Sequence, residues 1–173
     1  PLTIIPSLRQ APYDATSDLI PVGRIGDLIC GFTIHPGVGP KTFAEMIDYA
    51  KKNPGKLNYG SAGLATGTHM RLEMLKFRTG VDITHVPYRG GGPLVNDAVA
   101  GHVDLAIGSS ALLAPHIAGG TIRPLMQTGE TRYEAFKDVP TAAEAGFPGL
   151  AANAWWAAFA PARTPADLQS RFR

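Results

Sequence analysis

The amino-acid sequence predicts an α/β fold, a parallel sheet flanked by helices, and three observations carry that prediction. From Leu57 onward, short apolar runs alternate with helix-length segments. That beat is the signature of βαβ units, whose right-handed crossovers build a parallel sheet with helices on both faces. Phe43, Met46, Ile47 and Ala50 fall at i, i+3, i+4 and i+7, the spacing of one buried helix face. Gly80, Gly101 and Gly119-Gly120 stand just past the helical segments, where C-caps are expected.

Taken in order, residues 1–24 carry Pro1, Pro6, Pro12 and Pro21 with little periodicity and read as extended connections rather than a helix. Cys30 to Ile34 is a short strand that ends at His35-Pro36-Gly37. Lys41 to Lys52 is an amphipathic helix, stopped by Asn53-Pro54-Gly55. The regular alternation follows: strand at Leu57 to Tyr59, helix at Thr66 to Thr79, strand at Ile83 to Val86, helix at Pro93 to Ala100. Val103 to Ile107 is the next strand and Ser110 to Ala118 the next helix. Ile122 to Met126 is a strand whose Pro124 favours an edge or crossing position. Pro140, Gly146, Pro148 and Gly149 interrupt the pattern before Ala154 to Ala160, an apolar strand ending at Pro161. Trp155 and Trp156 are adjacent on it and so face opposite sides, one inward and one outward. Thr164 to Leu168 reads as a helix start with nine residues to run before Arg173. Without an initiator Met or a basic-then-apolar leader, the chain reads as an internal piece of something longer.

Composition narrows the function classes. Sixteen Lys and Arg against 14 Asp and Glu leave a formal charge of +2, and no window is dominated by one sign, so neither a polybasic nucleic-acid groove nor an acidic tail is supported. The lone Cys30 makes neither an internal disulfide nor a cysteine metal cluster. No apolar run reaches the roughly 18 residues of a membrane span. The five histidines are dispersed without ligand spacing, so no metal site and no cofactor are expected.

Open parallel sheets bind ligands where strand ends lead into helix N-termini, and that rule selects three places. The first is Tyr59 to His69, with Gly60, Gly63 and Gly67 for close backbone approach, Ser61, Thr66 and Thr68 for hydroxyls, and a helix start that favours an anion. A small carboxylate or a phosphate suits it. The same residues also suit a plain helix start with Thr66 or Thr68 as N-cap. The second is Val86 to Pro93, with Tyr88 and Arg89 as polar contacts, or a simple turn with Arg89 solvated. The third is Ile107 to Ser110, where Ser109 or Ser110 either meets a ligand or caps the following helix. No lysine follows Gly67, so no triphosphate-gripping loop is present, and the dinucleotide fingerprint is absent. Gly60 directly precedes Ser61, one residue out of register for a nucleophile elbow. His69, in the helix's first turn, suits a hydrogen bond to loop or ligand. Asp104 suits the accepting of backbone N–H bonds that hold neighbouring loops. The competing class is a serine hydrolase using Ser61 with His69 or His85, lacking an evident acid partner.

Asn53 to Gly63, then Gly67-Thr68-His69, then His85 to Gly91, resemble the periplasmic solute-binding proteins of tripartite tricarboxylate transporters, the Bug or TctC-like family. The likeness continues through Gly101 to Leu105, Asp138 to Gly146, and Trp156 to Pro165. It implies a Venus-flytrap fold of the periplasmic-binding-protein type II, a periplasmic location behind a secretion signal, permease subunits as partners, and capture of an organic acid rather than catalysis. On this resemblance residues 24–121 are the second ligand-binding lobe, 1–23 a crossing segment and remnant of the first, and 122–173 the return crossing strand and further remnant. Its carboxylate grip falls on Ser61, Ala62, Gly63, Thr66, Gly67, Thr68 and His69, with Tyr88 and Ser109 lining the same cleft. Gly108 and Ser109 stand where many relatives carry an acidic or amide pair, and Ala65 where glycine or a polar residue is common. Both departures suit a plain carboxylate better than an amino acid.

Overall fold

The structure, a computed structural model, describes residues 2, 4–151 and 154–171, and the expectations at Pro1 and Arg173 lie outside them. By internal contacts the chain divides into two units, residues 1–28 with 154–173, and residues 29–153.

The first unit contains a one-turn helix, α1 (Ile5–Leu8), two strands, β1 (Leu19–Leu28) and β7 (Ala154–Pro161), and a short closing helix, α6 (Ala166–Ser170). The N-terminal segment is thus not wholly extended. Pro6 sits in the first turn of α1, where its missing N–H deprives no intrahelical bond. β1 and β7 pair antiparallel from Leu19↔Pro161 to Leu28↔Ala154, with irregularities at Pro21/Gly23 and Arg24/Gly26. The expectation that one tryptophan turns inward does not hold. Trp155 and Trp156 are 50% and 61% exposed. Trp155 and Phe159, four residues apart on one face, bring their ring centroids to 6.2 Å.

The second unit holds β2 (Cys30–Ile34), α2 (Phe43–Lys52), β3 (Leu57–Ser61), α3 (Gly67–Thr79), β4 (Ile83–Pro87), α4 (Gly91–Ala100), β5 (Leu105–Ser109), α5 (Ser110–Ala118) and β6 (Arg123–Gln127). Its five strands lie in the order β4-β3-β5-β2-β6. β3 runs parallel to β4 and β5, but β2 is antiparallel to both its neighbours, so the sheet is mixed and not wholly parallel. The reason is positional: the buried β2 fills the slot between β5 and β6, which the α5 crossover spans. β6 is the edge strand that Pro124 requires.

Successive strand residues face opposite sides of the sheet. On one side Ala106 joins Leu94, Val95 and Ala98 of α4 and Leu113 of α5 in a buried cluster. On the other, Phe32, the cross-strand partner of Ile107, meets Phe43 of α2 edge-on at 5.9 Å, and Phe43 meets Phe147 at 5.2 Å. Helices therefore cover both faces. The expected lobe of 24–121 and the observed unit of 29–153 differ at both ends. β6 pairs along β2, and the segment after it closes around the buried Gln127 side chain. Gln127 donates to the carbonyls of Phe136 (2.9 Å) and Val139 (2.8 Å) and accepts from Tyr133 N–H (2.8 Å).

Candidate functional site

Because β3, β4 and β5 run parallel, their carboxyl ends at Ser61, Pro87 and Ser109 open on one edge of the sheet. The opposite ends are tied by a reciprocal clamp: Asn58 N–H donates to Asp104 Oδ2 (2.9 Å) and Asp104 N–H to Asn58 Oδ1 (3.0 Å). Asp104 thus accepts a backbone N–H as expected, but from strand β3 rather than from a loop.

Between Ser61 and His69 the chain forms a loop that holds itself by its own polar groups. Thr66 is the N-cap of α3, its hydroxyl accepting from His69 N–H (3.4 Å) while donating to Gly63 C=O (2.7 Å). Its Oγ1 also lies 2.9 Å from the Thr68 hydroxyl, which accepts from Ala62 N–H at 3.4 Å. With the Thr66 proton given to Gly63 C=O, the Thr68 hydroxyl is the donor of that 2.9 Å bond, and a ligand carboxylate would compete with Thr66 Oγ1 for its proton. The N–H groups of Gly67 and Thr68, first in the helix, have no intrahelical acceptor by the geometry of an α-helix and carry the positive end of its dipole. Gly67 lies against Arg71, where an added Cβ would sit 3.1 Å from its Nη1. Arg71 is itself buried and reaches Cys30 Sγ at 3.7 Å. Ala65 adopts φ +58°, a left-handed conformation that costs about 1–2 kcal/mol for a residue with a Cβ. This explains in steric terms why glycine suits that position.

Ser61 is fully buried, turned into the protein rather than toward the edge. Its Oγ lies 2.7 Å from His85 Nε2 and accepts from Gly63 N–H at 3.2 Å. His85 is the middle ring of a stack: Tyr59 lies on one side (centroids 4.6 Å) and His69 on the other (4.2 Å). Tyr59 donates to Glu73 (2.8 Å), as does Lys76 (3.0 Å). Burial, and then the neighbouring His69, hold His85 below the usual imidazole range. Burial works to raise the Glu73 carboxyl, but the bonds from Lys76 and Tyr59 outweigh it and keep it low. Burial and Glu73 push the Tyr59 phenol up. The arrangement is not that of a hydrolytic serine, whose Oγ must be exposed to substrate and whose histidine is oriented by an acid. No carboxylate bonds to His85 among the described residues.

Tyr88 is joined to the first loop through its backbone, its N–H donating to Ser61 C=O (3.0 Å). Its phenol points elsewhere, donating to Asp97 Oδ2 (2.7 Å), and burial with this bond pushes its pKa up to about 12. The Asp97 carboxyl is held low by Tyr88 and then by His102. Arg89 is exposed. Ser109 is the N-cap of α5, accepting from Leu112 N–H (3.4 Å). Residues 61–69 and 88 are thus brought together, while the Ser109 hydroxyl serves its helix. The sequence reading passed over Tyr59, Glu73 and Lys76. The last two follow His69 at i+4 and i+7, a helix-face spacing visible in the sequence. Tyr59 meets His85 only through the register of β3 on β4.

The mixed sheet with helices on both faces and the loop at its strand ends is an architecture shared with solved periplasmic binding proteins, among them one described as BugD, with TM-score 0.91 and 27% identity over 99% of this chain and 57% of that one. A family model described as "Tripartite tricarboxylate transporter family receptor" matches residues 1–172, and the chain belongs to that family. Among curated proteins it is similar to the UPF0065 protein in the tcbD-tcbE intergenic region of Pseudomonas sp. (strain P51), 36% identical over 94% of this chain and 48% of that protein. Among solved structures it is similar to one described as a periplasmic transporter, with TM-score 0.93 and 37% identity over 99% of this chain and 58% of that one. An R. palustris protein solved with adipate matches at TM-score 0.88 and 34% identity, over 95% of this chain and 55% of the other. The chain therefore spans about half the length of these relatives. Among the described residues no helix is long and apolar enough to cross a membrane.

Proposed function

We propose that this chain carries the second ligand-binding lobe of the periplasmic receptor of a tripartite tricarboxylate-type transporter, capturing a small organic carboxylate for membrane permease subunits, without catalysis. The observation that carries the reading is the loop from Ser61 to His69. It combines the N–H groups of Gly67 and Thr68, which have no intrahelical acceptor, a Thr68 hydroxyl whose proton a carboxylate can take over from Thr66 Oγ1, and the positive end of α3. Charge-assisted bonds of this kind contribute about 1.5–3 kcal/mol each. Family membership and the adipate-bound relative support the same chemistry. Ligand favours a closed form only by contacting both lobes of such a receptor, so differential affinity drives closure. Gly108 and Ser109, standing where the family resemblance leads one to expect an acidic or amide pair, favour a plain carboxylate over an amino acid. The hydrolase alternative draws no support from these relatives.

Calorimetric titration of the full chain with adipate and with glutamate tests the reading. Thr68→Ala is expected to weaken adipate binding about 10- to 100-fold, the equivalent of one charge-assisted bond. Unchanged affinity, or tight glutamate binding with none for dicarboxylates, overturns it.

A further inference from the structure

Thr66 closes the left-handed turn at Ala65 onto Gly63 C=O, and the Ala65 backbone is tied to a second side chain. Ala65 N–H donates to His69 Nδ1 at 3.2 Å. That bond requires an Nδ1 without a proton, the form of the ring with its hydrogen on Nε2. An imidazolium bears N–H on both nitrogens, and two donors would then face each other across the same 3.2 Å. Ala65 opens the turn that ends on Thr66, the N-cap, and so governs how Gly67 and Thr68 present their N–H groups.

Aromatic and titratable groups surround the ring. His69 faces His85 of β4 at 4.2 Å, with Tyr59 of β3 beyond it, and on its own helix Glu73 and Lys76 one and two turns along. Ser61 occupies the Nε2 of His85. Two charged rings in that stack would repel, and burial resists charge on His85.

We propose that His69 is a positioning residue for carboxylate capture: its neutral ring latches the Ala65 turn, and its protonation releases the loop and weakens binding in acid. This rests on the carboxylate reading above.

Adipate is titrated calorimetrically into the full chain and into His69→Asn and His69→Phe between pH 8 and about pH 5.5, the interval in which imidazoles change charge. Asn places Oδ1 where Nδ1 stands and accepts without titrating, whereas Phe keeps the stack but has no acceptor. The parent is expected to lose about tenfold in affinity relative to His69→Asn as the pH falls, the equivalent of one hydrogen bond. His69→Phe is expected to bind weakly throughout. Acid acting on adipate itself is common to all three proteins and cancels in the comparison. Amide NMR of the ligand-free chain gives a second readout, in which the Ala65 resonance follows the His69 ring titration in the parent and stays fixed in His69→Asn. Parallel pH profiles for parent and His69→Asn, or an Ala65 amide indifferent to the ring, overturn the latch. An amide that follows the ring in a chain that binds no adipate sustains the latch and removes the carboxylate reading instead.

Discussion

Replacing Thr66 with alanine strikes the loop at its most connected side chain. The hydroxyl caps α3 through His69 N–H, donates to Gly63 C=O at 2.7 Å and supports the Thr68 hydroxyl at 2.9 Å. Loss of an N-cap costs about 1 kcal/mol, and loss of the Gly63 bond about 1 kcal/mol more. For a chain of this size each kcal/mol lowers the melting temperature by about 2–4 °C, so Thr66→Ala is expected to melt about 4–8 °C below the parent. Thr66→Ser keeps every hydrogen bond and is expected to melt within about 2 °C of it. Thermal unfolding followed by circular dichroism, with urea midpoints as a check, measures both. An alanine variant that melts with the parent refutes the reasoning. So does a serine variant that falls as far as alanine, since the γ-methyl and not the hydroxyl would then be what the loop needs.

Two further outcomes are expected. A Cβ at Gly60 would collide with Leu94 Cδ1 and lie 3.0 Å from Tyr88 Cε2, so Gly60→Ala is expected to lower stability by about 1–3 kcal/mol through overpacking, and an unmoved urea midpoint would count against that close approach. Because the fold holds His85 below the ordinary imidazole value, the unfolded chain takes up that proton first, and stability should fall as pH drops below about 6.5. Urea midpoints between pH 8 and about pH 5 should decline less steeply in His85→Gln, and equal slopes would exclude His85 as the source.

Much of the ligand loop was legible because its signals are local. Glycines at Gly60, Gly63 and Gly67, interleaved with hydroxyls between a strand and a helix, are a local turn signal, and Thr66 is the cap that pattern allows. The inward turn of Ser61 was not legible. A serine in a glycine-rich loop looks the same in sequence whether its hydroxyl meets a ligand or a buried histidine, and here the partner lies on the next strand at His85. Tyr88 misleads for a similar reason: its phenol suits a cleft, but Asp97, nine residues on, captures it.

From Cys30 onward the sequence by itself determined the elements, their alternation and the edge of the sheet on which a ligand loop belongs, since periodicity, caps and breakers act over a few residues. Only the tertiary structure decided that β2 enters antiparallel, that β6 joins the sheet, and that three aromatic rings from two strands and a helix stack beneath the loop. Those outcomes depend on which distant segment fills a slot or meets a side chain in register. They are settled by packing between parts of the chain that no local pattern relates.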